Sequence, residues 1–189
     1  MKYIRLIALA LLVCVTLSAC SSSSDNGKEG TSDSKKINQE ATQPKKTGND
    51  LINSIFDELK SKASTVKLAR IYDEDTDPNN LIGKQGQYQY AGSFYDTRSG
   101  YEPTDDNLNP IAIEDDLFGT DAGGAVEVFV DKDDAEARGE YLGQYQTGLV
   151  QAGAYRVINN VVLRVSPELK ASEQNELLDI MENVVNRNL

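Results

Sequence analysis

Between Tyr72 and Leu81 the chain sets carboxylates at every second position, Asp73, Asp75 and Asp77, and Asn79 continues the series. Alternate side chains of a turning loop can converge on one centre, and Ca²⁺ takes about six to eight oxygen ligands. Asp73, Asp75, Asp77 and Asn79 are therefore candidate metal ligands, with calcium the candidate ion. The loop is not an EF-hand, which needs Gly at its sixth place and Glu at its twelfth. Counted from Asp73, those places hold Pro78 and Lys84. The competing reading is a solvated turn, in which Asp and Asn bond nearby amides and Pro fixes φ. A second run, Glu114-Asp115-Asp116, offers either more cation ligands or a contact for a basic partner, against the plainer reading of a solvated loop.

Other residue types narrow the chemistry. The chain has no His, and its two cysteines are Cys14 and Cys20. That removes Ser-His-Asp and Cys-His catalysis, histidine bases and the usual structural zinc sets. Carboxylate pairs of the glycosidase kind stay chemically available, but no spacing marks a pair. No phosphate-cradling Gly-rich loop and no nucleophile elbow occurs. Eight of the nine tyrosines (72, 88, 90, 95, 101, 141, 145, 155) lie in the domain and offer flat apolar bodies with polar tips. They suit a glycan or peptide groove, or packing at the edge of a core. Arg70, Arg98, Arg156 and Arg164 lie on or beside expected strands. They suit an anion pocket or, in an acidic domain, ion pairs.

Cys20 is the one side chain with a specific chemical expectation. Lys2 and Arg5 make a cationic start, and Leu6 to Leu17 is almost wholly apolar. A dozen residues fall short of the ~20 that a helix needs to span a bilayer, and fit the apolar core of an export signal. The run closes on Leu17-Ser18-Ala19-Cys20. These four residues resemble the lipobox of bacterial lipoproteins. The resemblance implies cleavage before Cys20 and a thioether-linked diacylglycerol on its sulfur, so that residues 1–19 form a lipoprotein signal peptide. The anchor would then hold the chain on the extracytoplasmic face of the cell membrane, where each buried CH₂ contributes ~0.8 kcal/mol.

Residues 20–48 are rich in Ser, Gly and Lys, with Ile37 the only large aliphatic side chain. Such a segment buries too little surface to offset ordering entropy, so a tether is expected. It carries five lysines against four acids, whereas residues 49–189 carry 12 cations against 26 acids. The acidity therefore belongs to the domain at 49–189. A domain of net charge −14 repels nucleic acid, so no nucleic-acid partner is expected.

The elements that must position these groups follow from periodicity. Asn49-Asp50 is an expected N-cap, and Leu51, Ile52, Ile55, Phe56 and Leu59 recur at helical spacing over 50–62. Val66–Tyr72 reads as a strand. Gly86–Tyr95 reads as another, with a bulge or bend at Ala91-Gly92. Thr97–Gly124 is a long irregular stretch that Ile111, Ile113, Leu117 and Phe118 should partly pack down. Ala125–Val130 is a strand. Asp131 caps a helix whose expected buried stripe is Ala135, Leu142, Tyr145 and Leu149. Asn159-Asn160 should form a two-residue turn between strands 155–158 and 161–165, pairing 158 with 161 and setting Arg164 opposite Tyr155 for a cation–π contact. Ser172, with Asn175-Glu176, should cap a last helix with the stripe Leu177, Leu178, Met181, Val184 and Val185. The order α-β-β-β-α-β-β-α predicts an α+β fold: a single antiparallel sheet of about five strands with helices packed on one face.

Three stretches resemble segments of small uncharacterised lipoproteins of Gram-positive bacteria: Leu68-Ala69-Arg70-Ile71-Tyr72 through Gly83, Gly124-Ala125-Val126-Glu127-Val128-Phe129 with the helix carrying Arg138 and Tyr141, and Val161-Val162-Leu163-Arg164-Val165. The likeness spans most of 64–180. It implies a shared α+β domain and a Gram-positive surface, and supplies no activity. The expectation is a non-enzymatic binding or interaction domain at the envelope, with a cell-wall or protein partner. The alternative is a calcium-dependent surface module using the acidic loop at 73–79. A carboxylate-based envelope hydrolase comes third.

Overall fold

The structure is a computed structural model and describes residues 47–145 and 151–188. The export segment, Cys20, nearly all of the tether and Leu149 lie outside the described residues. Three helices and five strands follow in the expected order: α1 (Gly48–Lys62), β1 (Val66–Ile71), β2 (Tyr90–Asp96), β3 (Gly123–Val128), α2 (Lys132–Gly143), β4 (Tyr155–Ile158), β5 (Val161–Val165) and α3 (Ala171–Asn188). The strands form one antiparallel sheet in the order β1-β2-β3-β5-β4. The α+β class and the single sheet are as the periodicity predicts.

Alternation divides the sheet's two faces. One face holds Phe94, Val126, Val128, Val161, Leu163 and Val165, buried against α1 (Ile52, Ile55, Phe56, Leu59) and α3 (Leu177, Leu178, Met181, Val184, Val185). The expected stripes of α1 and α3 are thus the buried ones. The reverse face holds Ala91, Val162, Tyr155 and Val157, covered by Ala135 and Leu142 of α2 and by Tyr72, Tyr88 and Phe129. The helices α1 and α3 share a face, and α2 takes the reverse of the β4–β5 end.

Several local expectations shift. α1 begins at Gly48, because Thr47 rather than Asn49-Asp50 is its N-cap: Thr47 Oγ1 accepts from Asp50 N–H, and Asp50 accepts in return from Thr47 N–H at 2.9 Å. β2 starts at Tyr90, not Gly86. Gly83 (φ 75°) and Gly86 (φ 71°) turn the preceding segment out of strand geometry. No bulge occurs at Ala91-Gly92, since β2 pairs without a break to β3. The irregularity lies in β1, between Val66 and Leu68. Gly92 is instead a packing glycine, whose missing Cβ leaves room for the Phe56 ring and the Arg70 carbonyl.

In α2, Asp131 does cap, accepting from Asp134 N–H at 3.0 Å. The helix buries Ala135, Gly139 and Leu142, whereas Tyr145 is exposed. The β4–β5 hairpin has the expected register, with Asn159 at φ 50° in its turn. Arg164 stands opposite Tyr155, but its guanidinium turns to Glu127 instead of the ring. Ser172 does not start α3. Glu173 accepts from Lys170 N–H at 2.9 Å, and Glu176 pairs with Arg98.

The long stretch after β2 is ordered by its own contacts. Ser99 Oγ donates to the Ala122 carbonyl at 2.9 Å, Tyr101 Oη donates to Asp116 at 2.7 Å, and Thr104 bridges Pro110. Burial, with Asp116 beside it, pushes the Tyr101 phenol up to about 12. Of the four apolar residues expected to pack, Phe118 is fully buried and Leu117 stays exposed.

Asp96 ends β2 with its carboxylate fully buried. It accepts from Thr65 Oγ1 (3.0 Å), Arg98 N–H (2.9 Å) and the Arg98 guanidinium (2.7–3.2 Å). Burial pushes this carboxyl up, but the Arg98 and Thr65 donors together hold it below its usual value. A depressed folded pKa contributes stability above the unfolded value of about 3.9 that is lost as pH falls through the folded one. The Asp96→Asn variant should therefore be less stable at pH 7 and lose less on acidification below about pH 4 than the parent. Urea midpoints measured from pH 7 to pH 2 check this; parallel curves would contradict it.

Candidate functional site

The reverse face of the sheet gathers most of the charged and tyrosine chemistry. At its centre is Glu127, on β3 between Val126 and Val128, which point to the opposite face. Glu127 is 2 % exposed and sits between two arginines. Arg138 of α2 grips it in a fork, Nε to Oε2 and Nη2 to Oε1, both at 2.8 Å. Arg164 of β5 adds Nη1 to Oε1 at 3.0 Å. Such two-toothed pairing is specific to the planar guanidinium. Burial lowers the proton affinity of Arg138, and Glu127 more than restores it. Gly139, the next residue, carries no Cβ where Val157 presses on α2, so Arg138 can approach the sheet closely.

Beside this cluster the acidic loop 73–82 folds over the sheet edge. Asp77 is 7 % exposed and turned inward. Its Oδ1 accepts from Asn79 N–H (3.0 Å), and its Oδ2 from Leu81 N–H (2.7 Å) and Ile82 N–H (3.1 Å). Tyr88 Oη donates to the same carboxylate at 3.0 Å. Burial, with the Asp77 charge beside it, raises the Tyr88 pKa well above the usual phenol value. Asp73 caps its own turn, accepting from Asp75 N–H, Thr76 N–H and Thr76 Oγ1. Asp75 is exposed, and Asn79 gives its amide to Tyr88 Oη at 3.2 Å. The structure thus does not bring Asp73, Asp75, Asp77 and Asn79 to one centre. Asp77 and Asn79 meet at Tyr88, while Asp73 serves a separate turn. No group of three or more acidic or thiol side chains with ligating geometry occurs among the described residues. Glu114 and Asp115 lie exposed on a short turn, and Asp116 goes to Tyr101.

Neither the tyrosines nor the arginines pool. Tyr72 is buried and bonds Ser93 Oγ and the Phe118 carbonyl. Tyr88 holds Asp77, and Tyr95 packs on Phe118. Tyr141, on α2, and Tyr145, just past its end, pair at 5.1 Å, and both are exposed. Arg70 lies over Phe118 and donates to the Glu114 carbonyl. Arg98 takes Asp96 and Glu176, and Arg156 takes Asp179 and Glu182. The ion-pair reading holds for Arg98, Arg156 and Arg164, whereas Arg70 lies on an aromatic ring and a backbone carbonyl.

Two of the clefts among the described residues lie on this framework. The larger, about 730 Å³, runs between Thr47, Gly48, Leu51, Tyr90, Val130 and Asn188, bordered by both ends of the described domain. The smaller, about 320 Å³, lies between α2 and the 81–87 turn. Sequence reasoning missed Glu127. Its signal was an acid in mid-strand with apolar residues on both sides, where an unpaired charge is not tolerated.

Compared with protein-family models, curated proteins and solved structures, the chain matches none.

Proposed function

We propose that this chain is a lipid-anchored protein of the extracytoplasmic membrane face, and that its acidic α+β domain binds a partner at the envelope without turning it over. Cys20 carries the diacylglycerol, residues 1–19 leave as the signal, and the tether holds the domain off the headgroups. The observation that carries the reading is the run Leu17-Ser18-Ala19-Cys20 behind a cationic start and an apolar segment of export length. The geometry supports binding over catalysis. Asp77, Asp96 and Glu127, the acidic side chains buried among the described residues, are each filled by donors from the chain itself.

The test is membrane partition in the native cell, followed by radiolabelled palmitate. The parent chain should sediment with membranes and take label. Cys20→Ser should take none and leave the membrane fraction. Label retained on the variant, or an unlabelled parent, would overturn the anchor.

A further inference from the structure

The cleft between α2 and the 81–87 turn has a lining of unusual balance. Leu81 and the Tyr141 ring give it apolar walls, and Tyr141 is 48 % exposed. Gln87 and Asp134 add an amide and a carboxylate, and neither side chain makes a hydrogen bond with another described residue. Arg138 forms one wall, and its Nε and Nη2 are committed to Glu127 while Nη1, on the other arm of the guanidinium, is not. Arg138 also lies over the Tyr141 ring, 5.5 Å from its centre, and Tyr145 packs against the same ring at 5.1 Å, so that the aromatic wall is held in place by its neighbours. Gly86, at φ 71°, turns the chain at the mouth, where it faces the Asp134 carboxylate. A volume of about 320 Å³ falls at the small end of ligand clefts.

The chemistry of the lining selects its ligand. An anion would face Asp134 inside a strongly acidic domain, and a cation would face Arg138. A neutral molecule with many hydroxyls meets both without penalty, donating to Asp134 and accepting from Gln87 and Arg138. Its C–H face can lie on Tyr141, the flat apolar surface that such rings need. We infer that this cleft is a saccharide site for uncharged hexose units, with Tyr141 the stacking wall and Asp134, Gln87 and Arg138 the hydroxyl partners. The Glu127 cluster then has a role in binding, since it fixes Arg138 and with it one side of the cleft.

This site rests on the reading of the domain as a binding module. Two sources share the chemistry: an N-acetylated wall glycan and a plain glucan. The full chain, held in a sugar-free detergent, should be titrated with chitotetraose and with maltotetraose, by calorimetry and by tyrosine fluorescence. Saturable binding of the acetylated probe alone identifies a wall-type glycan, and saturation by both identifies a general hexose site. In either case Tyr141→Ala and Asp134→Ala should each weaken binding about tenfold without moving the urea midpoint by more than a fraction of its value. No saturation with either probe overturns the inference. So does binding that both variants leave unchanged, which would put the sugar elsewhere. Palmitate labelling of Cys20 is read separately, so loss of the saccharide site and loss of the anchor are distinguishable.

Discussion

Glu127→Gln should be the most damaging conservative change in the domain, lowering stability by about 3–5 kcal/mol, because it strands two arginines beneath α2. Their side chains are each 15 % exposed, and among the described residues Glu127 is the carboxylate that both pair with. Glutamine is the same size, so no cavity forms and the loss isolates the charge. A domain of this size has roughly 5–15 kcal/mol in all. The midpoint temperature should therefore fall by roughly 10 °C or more. Replacing the arginines as well, in the triple variant Glu127→Gln, Arg138→Met, Arg164→Leu, should recover most of that loss, since apolar side chains of similar volume often replace a buried ion cluster at little cost. A thermal and urea series over the single and triple variants reads both effects. A single variant as stable as the parent would mean that water already solvates the two guanidinium groups.

Asp77→Asn comes second, at about 2–4 kcal/mol, and its neighbour gives the contrast. The carboxylate accepts three backbone amides and the Tyr88 hydroxyl in a site 7 % exposed. Asparagine keeps one acceptor oxygen and aims an NH₂ at donors that need acceptors. The amides of Leu81 and Ile82, or the Tyr88 hydroxyl, are then buried without partners. Asp75→Asn, two residues earlier and exposed, should change stability by less than about 0.5 kcal/mol. Millimolar Ca²⁺ should leave both differences as they are, because Asp77 spends its oxygens on the loop itself. A midpoint that rises with Ca²⁺ in the parent and not in Asp75→Asn would restore the alternating carboxylates as a cation loop.

The two residues also show how far the sequence could be read. The β4–β5 hairpin was legible because Asn159-Asn160 and the flanking apolar alternation lie within eleven residues. The cap of α2 was legible because Asp131 acts three residues away. Asp77 was legible as a loop residue that bonds amides. Its partnership with Tyr88 was not, because Gly83 and Gly86 return the chain to bring the phenol back. Gly86–Tyr95 read as strand too early, since Tyr88 continues the alternation of Tyr90 ahead of the strand's own backbone. Glu127 lies furthest from local signals. Its two arginines come from α2 and β5, 11 and 37 residues on, and only the sheet order brings them together. The small cleft depends on that same arrangement, so periodicity alone could list Tyr141 and Asp134 but not join them to Gln87.

The anchor is the premise on which a surface-binding role depends. The mass of the mature N-terminal peptide, from protein extracted from native membranes, tests it most directly. The expected mature chain begins at Cys20 and bears a diacylglycerol on its sulfur, with residues 1–19 gone. An unmodified cysteine, or a chain still carrying Met1 to Ala19, would contradict it.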